Sequence, residues 1–517
     1  MTTTPAGDLP AEPEVLPEEP FAGFSLELDV PPALAARLPR HPAMASGPGR
    51  ARGTAERLIW YDTAEGALAA DGLLLEEYSP RGQRRLVRAW DTTAPPGLPP
   101  RIVEAELPEE AVVALAAFEG KLTLRRLAPP EGPVLASLRQ GRLRAVAAEA
   151  EIARLVLEGP PEAVMAVARA LCASLPLIPP SASLPEVARA LARGEAPRPR
   201  RRGPAVPAPG ASMGDALAEA IGHLTEVLLI QAPAAHDGTG PEGVHQMRVA
   251  TRRLRSVLKL FRPQPGFGGI DTPSLRTLDA ELGEVASRLG PARDWDVFLG
   301  GIGAALAEAA GEEKRVAVLL RAAQAEREAA YTALREVLDG PGWRLLMLDA
   351  VAAARLQGWR AEAGEGAVDA PLAPFAAEVM RRRWRRLRRA ARDIETLSIT
   401  ALHALRLDSK RVRYAAEVFS PLWPGSESRR FGRRLAAVQE ALGVANDGAV
   451  ARELATRLAE GGGRAGASRV SRQVPPWAIG LLEGYALART AGARDAAIAA
   501  WKLARKAPEF WKTTPEQ

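Results

Sequence analysis

From Phe24 to about Leu191, apolar residues recur in short alternating runs, among them FSLELDV, RLIWYDT, GLLLEEY, RRLVRAW, RIVEAEL and KLTLRRL, separated by prolines and glycines. Alternation of this kind predicts half-buried strands, and several of them between turn residues predict an antiparallel sheet. PEEAVVALAAFEG and PPEAVMAVARALCASL carry helical spacing instead, so residues 21–192 are expected to form an α+β domain. Residues 193–212, RGEAPRPRRRGPAVPAPGAS, have no apolar period and read as a proline-stiffened linker. From 213 to 512 the chain runs in long Ala/Leu/Arg/Glu stretches of helical period, broken only at RPQPGFGGIDTP, AEAGEGAVDAP, SPLWPGSES and GGGRAG. That half is expected to be all α.

The helical half repeats itself. The segment from His245 to Arg255, HQMRVATRRLR, returns from His403 to Arg413 as HALRLDSKRVR, and a phenylalanine closes both stretches, Phe261 and Phe419. Downstream, LGPARD from Leu289 returns as LGVAND from Leu442. A duplicated unit, about 213–345 and 374–512, accounts for both. On a helical wheel, His245, Arg248, Arg252, Arg255 and Lys259 share a stripe of roughly 80°, while Met247, Leu254, Val257, Leu258 and Phe261 take the opposite side. The second copy repeats the arrangement. His403, Arg406, Lys410 and Arg413 form the stripe, with Tyr414 beside it, and Leu405, Val412, Ala415, Ala416 and Phe419 form the buried face. Each helix is thus expected to bury one side and present a cationic rail on the other. Nothing inside the motif neutralises the rail, and an anion with regularly spaced charges would. A single basic face is ordinarily just solvated or paired with acids; the same pattern occurring twice, histidine included, favours a ligand.

Composition sharpens this picture. The chain has 517 residues, 47% hydrophobic and 25% charged, ordinary for globular domains with a sizeable core. Its lone cysteine, Cys172, sits among leucines and excludes an internal disulfide framework. No apolar run is long enough for a membrane span. The first 20 residues are acidic and proline-rich without the basic start of a signal peptide, and read as a solvated tail. A cytoplasmic protein with no membrane association is expected. Residues 1–200 carry 22 Lys+Arg against 26 Asp+Glu, which leaves 46 against 36 for the rest, so the positive charge belongs to the helical half. A further run, Arg381 to Arg389, holds seven arginines spread around a helix. Some are expected to extend the polyanion surface and others to pair with acids. Nucleic acid is the alternative ligand, although no base-reading motif is present. Asp294, Asp296 and Asp447 are read as capping or arginine-orienting groups rather than metal ligands; no cofactor and no metal are expected.

The motifs HQMRVATRRLRSVLKLF, LGPARDWDVFL, LHALRLDSKRVRYAAEVF and LGVANDGAV, with the terminal APEFW, resemble those of the CHAD family, the conserved-histidine α-helical domain. The resemblance implies two pseudo-symmetric four-helix bundles around a basic channel, and binding of inorganic polyphosphate rather than catalysis, with targeting to polyphosphate granules. Carried over by position, the ligand groups are His245, Arg248, Arg252, Arg255, Lys259, His403, Arg406, Lys410, Arg413 and Tyr414. Glu417 stands where Lys259 does and weakens that end of the second rail. Arg253 and Arg411 lie off the stripe and are expected to be structural or peripheral contacts.

The front half resembles the CYTH fold of triphosphate-tunnel enzymes through FSLELDV, Tyr61-Asp62-Thr63, the strand entry at Gly72 and the Glu104/Glu106 pair. Active members begin with a Glu-x-Glu-x-Lys strand, where this chain reads Ser25-Leu26-Glu27-Leu28-Asp29. Glu76-Glu77-Tyr78 stands where arginines are implied, Arg139-Gln140-Gly141 where an aspartate is, and the late strand Ile152-Ala153-Arg154 lacks its glutamates. Glu27, Glu104, Glu106, Arg81, Arg84, Arg85 and Arg88 remain as fragments of a site. Triphosphate hydrolysis needs metal held by several carboxylates, so the domain is expected to be a degenerate, non-catalytic CYTH-like tunnel. The alternative is a metal-dependent triphosphatase or polyphosphatase that uses the helical half to bind substrate. The three other histidines, His41, His223 and His236, have no metal-ligand spacing.

Overall fold

The computed structural model describes residues 23–45, 47, 51–80, 86–91, 97–99, 101–103, 111–194, 205–208, 210–263, 268–460, 474–490 and 492–513. The tail, most of the linker, Arg81, Arg84, Arg85, Glu104 and Glu106 lie outside them, as do the side chains of Arg88 and Asp447. Eight strands come first: β1 (Phe24–Asp29), β2 (Arg52–Thr63), β3 (Leu73–Pro80), β4 (Leu86–Asp91), β5 (Arg101–Val103), β6 (Val112–Leu127), β7 (Val134–Ala145) and β8 (Glu149–Gly159). The longer helices are α1 (Pro161–Ser174), α2 (Leu184–Arg193), α3 (Met213–Asp237), α4 (Glu242–Leu260), α5 (Pro273–Phe298) and α6 (Lys314–Asp339). They continue as α7 (Pro341–Arg355), α8 (Leu372–Ala390), α9 (Ile399–Phe419), α10 (Ser426–Ala459), α11 (Pro476–Thr490) and α12 (Ala493–Ala504).

The chain divides into two compact units: residues 1–202 with 225–230 and 339–356, and the remainder. The first is an antiparallel sheet in the order β1-β8-β7-β6-β2-β3-β4-β5. One face buries Leu26, Leu28, Leu155 and Leu157 against Val164 and Leu171 of α1 and Leu348 and Val351 of α7. The other buries Leu58, Trp60, Leu74, Phe118 and Leu143 against Leu184 and Ala188 of α2. Helix α2 starts with a capping box in which Ser183 and Glu186 bond reciprocally, and it ends at Gly194 with φ 65°.

One expectation is corrected. The helical spacing of PEEAVVALAAFEG gives way to strand β6, paired with β2 on one side and β7 on the other. Two partners satisfy its backbone along 16 residues, and burial of Ala116 and Phe118 fits the pleat; local spacing yields to pairing. Residues 339–356 group with the sheet although they follow the first helical repeat in sequence. Arg344 donates from Nε to the Cys172 carbonyl at 2.8 Å, and Arg169 bonds Asp349 at 3.1 Å. Burial pushes the Cys172 thiol up to about 12, so it is protonated.

In the second unit the repeats meet through aromatic side chains. Phe261, closing α4, lies 5.7 Å from Phe375 of α8 and 6.1 Å from Phe419, closing α9. A second cluster gathers Trp384 of α8, Phe431 of α10, Trp501 of α12 and the C-terminal turn: Trp384 is 5.1 Å from Phe431, 5.7 Å from Trp501 and 6.5 Å from Trp511. The terminal APEFW is thereby explained. Phe510 and Trp511 are buried, while Glu509 holds Arg388 at 3.3 Å and Lys512 at 3.1 Å. A third cluster joins α5, α6, α10 and α11 around Trp295, Leu319, Leu454 and Leu482.

Candidate functional site

Helices α4 and α9 place their faces as the wheel requires. Met247, Leu254, Val257 and Leu258 are buried on one, and Leu405, Val412, Ala415 and Ala416 on the other. The opposite faces carry the rails. His245 and Arg248 are half-buried, and Arg252 and His403 are exposed. Arg406, Lys410 and Arg413 are half-buried. The rails meet where the Arg252 guanidinium stands 5.2 Å above the ring of Tyr414, a cation–π contact. The surrounding protein and the neighbouring Arg248 hold Arg252 below the usual arginine range.

The rails are not uniformly open. Asp279 of α5, only 6% exposed, accepts from Arg255 at 2.9 Å and Arg262 at 3.0 Å, with Lys259 at 3.7 Å. Nothing inside the motif neutralises the rail, but at this end a carboxylate from another helix does. In the second copy Arg413 bonds Glu417 at 2.8 Å and Gln439 at 3.1 Å, and Arg253 reaches the same Glu417 at 3.3 Å. Arg253 and Arg411 are both paired with acids, the latter with Asp408 at 2.7 Å. At the other end, Arg248 has Asp294 only at 3.9 Å. Among the described residues, His245, Arg252 and His403 have no carboxylate within ion-pair distance.

Conversion of Asp279 to asparagine removes the charge shared by three cations. The fold is expected to lose about 1–3 kcal/mol, while the freed Arg255 and Lys259 bind a polyanion a few-fold more tightly. Thermal unfolding with and without polyphosphate reads both, and a variant weaker in both would place Asp279 outside any electrostatic balance with a ligand.

Asp296 is nearly inaccessible and accepts from Arg327 Nε at 2.7 Å and Tyr331 Oη at 2.9 Å, an arginine-orienting role. Desolvation raises the Asp294 carboxyl against the pull of Arg248. Desolvation first, and the Arg293 charge second, hold the His245 imidazole below its ordinary value.

The inner face of the sheet carries a row of charges across five strands, with Glu27 (β1), Arg154 (β8), Glu56 (β2) and Glu76 (β3) buried and Arg139 (β7) half-buried. Arg139 is bonded to Glu56, Trp60 Nε1 donates to Glu76 at 3.0 Å, and Arg154 lies 3.9 Å from Glu27. Burial raises the Glu27 carboxyl even against the nearby Arg154 and Arg139. The register sets Arg139 opposite Arg154, so the two positions where acids were implied hold arginines that face the remaining carboxylates. Phe118 lies beside this row across the facing Gly120 and Gly141, where a Cβ on Gly141 would come within 2.9 Å of its ring.

Residues 219–456 match the CHAD domain family. The chain is 32% identical over 280 residues to an uncharacterized protein of Mycobacterium tuberculosis strain CDC 1551, covering 52% of this chain and 48% of that protein. The counterpart in strain H37Rv matches to the same extent. The chain thus spans about half the length of the curated relatives it matches. The crystal structure of the CHAD domain from the plant Ricinus communis is 30% identical, with a TM-score of 0.47, covering 60% of this chain and 98% of that one. A putative adenylyl cyclase from Hippeastrum, described as having a dominant triphosphatase activity, is 13% identical with a TM-score of 0.22, covering 28% of this chain and 82% of that one.

Proposed function

Residues 219–456 match the CHAD domain family, and on that premise we propose that the chain binds inorganic polyphosphate through the rails of α4 and α9, without catalysis by its front unit. The observation that carries this reading is the paired helix: the same pattern of a histidine and cations appears on two helices that meet at Arg252 and Tyr414. Phosphates of a long chain replace the missing carboxylates, through charge-assisted bonds for which arginine's fork is suited. Nucleic acid is disfavoured because Tyr414, the aromatic group of the rails, lies under Arg252 rather than open to stack a base.

The front unit is read as a degenerate CYTH-like domain. Its inner-face carboxylates are matched by Arg139 and Arg154 from the sheet itself, and α2 packs its apolar side over the same face, which leaves little for a metal-bound triphosphate. The competing reading, a metal-dependent phosphohydrolase, is the one that phosphate release with magnesium or manganese would support. Among the described residues no helix is long and apolar enough to cross a membrane. A cytoplasmic protein gathered at polyphosphate granules is the setting this reading implies.

The test is titration of the whole chain with long-chain polyphosphate at physiological salt, with duplex DNA and RNA as competitors, at several pH values. In the free protein His245 is neutral near pH 7. Because its folded value is depressed, stability present above about pH 6.5 is lost as pH falls toward the folded value. Bound phosphate favours the imidazolium, so binding takes up a proton. Affinity is expected to rise as pH falls from 8 to 6, by at most about tenfold per unit for one proton. His245→Gln flattens that slope. Equal affinity at both pH values removes the histidine from the mechanism, and equal competition by nucleic acid removes polyphosphate as the specific ligand.

A further inference from the structure

The seven arginines of the Arg381–Arg389 run are sorted by the fold. Arg382 turns to Glu378, which also holds Arg381 at 2.7 Å. Arg383 and Arg386 turn to α9, the first donating to the Arg411 carbonyl at 2.9 Å and the second bonding Asp408 at 3.1 Å. The remaining four, Arg381, Arg385, Arg388 and Arg389, share one face of α8 with Arg392 just beyond its end, and together they line one wall of a cleft of about 780 Å³. The facing wall supplies Arg505 and Lys506 from the end of α12 and Lys512 from the terminal turn. Of the carboxylates, the lining includes only Glu509, and it is already held by Arg388 and Lys512. Among the described residues, Arg385, Arg389, Arg392 and Lys506 have no carboxylate within ion-pair distance. Trp384 and Trp501 form the floor but are 2% and 4% exposed, so their rings are committed to the aromatic cluster.

We propose that this cleft is a second anion site, separate from the rails, that takes a compact oligophosphate. Its volume lies in the range of small-ligand pockets rather than of an extended groove. Two walls of like charge on a fixed aromatic floor repel each other until an anion is placed between them. Six of its eight cations are arginines, whose paired donors match phosphate oxygens. With the tryptophan faces covered, nothing in the cleft reads a base, so recognition is of the phosphates alone. The inference does not rest on polyphosphate binding by α4 and α9.

Isothermal titration of the full chain with inorganic triphosphate tests it, in the wild type, in Arg385→Ala/Arg389→Ala/Arg392→Ala, and in His245→Ala/Arg248→Ala/His403→Ala/Arg406→Ala. The expected result is a triphosphate site that the rail variant keeps within about twofold and the cleft variant weakens at least tenfold. Arg505→Ala, on the opposite wall, is expected to weaken the same site about threefold or more, and it guards against misfolding of the triple variant. ATP in place of triphosphate is expected to bind the cleft within about threefold. Loss of all triphosphate binding in the rail variant, or wild-type binding in both cleft variants, overturns the proposal; a preference for ATP above tenfold overturns recognition by phosphate alone. Failure of long-chain polyphosphate to bind the wild type counts against the rails and leaves the triphosphate readout standing.

Discussion

Replacement of His245, Arg248, His403 and Arg406 together by alanine is expected to weaken long-chain polyphosphate binding by between a hundredfold and a thousandfold. A charge-assisted hydrogen bond contributes about 1.5–3 kcal/mol, but these side chains are partly or largely exposed and screened by salt. Discounted to about 1 kcal/mol each, four give about 3–4 kcal/mol, at about 1.4 kcal/mol per tenfold. They occupy the ends of the rails away from Asp279 and Glu417, so their removal leaves the internal ion pairs of Arg255, Lys259 and Arg413 in place. The melting temperature is accordingly expected to move by no more than about 2 °C. Titration and thermal unfolding of the same preparation decide the matter. Unchanged affinity would reduce the rails to a solvated basic face, and a large fall in melting temperature would mean that the loss reports unfolding.

The largest effect on stability is expected from Trp384→Ala, at about 3–5 kcal/mol. Trp384 is 2% exposed, and its ring touches Phe431, Trp501 and Trp511 at once, from helices far apart in sequence. Truncation opens a cavity where α8, α10, α12 and the terminal turn converge, and a rigid cluster of rings collapses into it only in part. Calorimetry is expected to show the transition of the helical unit lowered by roughly 6–15 °C. A shift under about 2 °C would mean that the four elements are held by their other contacts and that the terminal turn is dispensable. The same variant loosens the floor of the basic cleft, so its triphosphate site weakens together with its stability, whereas Arg505→Ala weakens the site alone.

The repeat was legible in the sequence because it depends on local order. His245 to Phe261 and His403 to Phe419 are single helices, and a helix converts spacing along the chain directly into faces. The buried and exposed sides of α4 and α9 follow from the wheel, as does the off-stripe role of Arg253 and Arg411. The departures in the front sheet, at Ser25-Leu26-Glu27-Leu28-Asp29, Arg139 and Arg154, were likewise visible as residue types at strand positions. Strand β6 was not, because Ala-Val-Val-Ala-Leu suits either period until two neighbouring strands fix the choice.

What the sequence could not carry is which charges remain open. Asp279 is 24 residues from Arg255, yet it silences one end of the first rail. The arginine run from 381 to 389 is cationic all round in sequence, and only the packing of α8 against α9 turns Arg383 and Arg386 toward α9 while Arg385 and Arg389 line a cleft. Lys506 and Lys512 join that cleft across more than a hundred residues of chain. The difference has one physical origin. Periodicity and residue type are properties of a segment and survive without neighbours, whereas the net charge a ligand meets is set by distances of a few ångströms between groups that only the tertiary fold brings together.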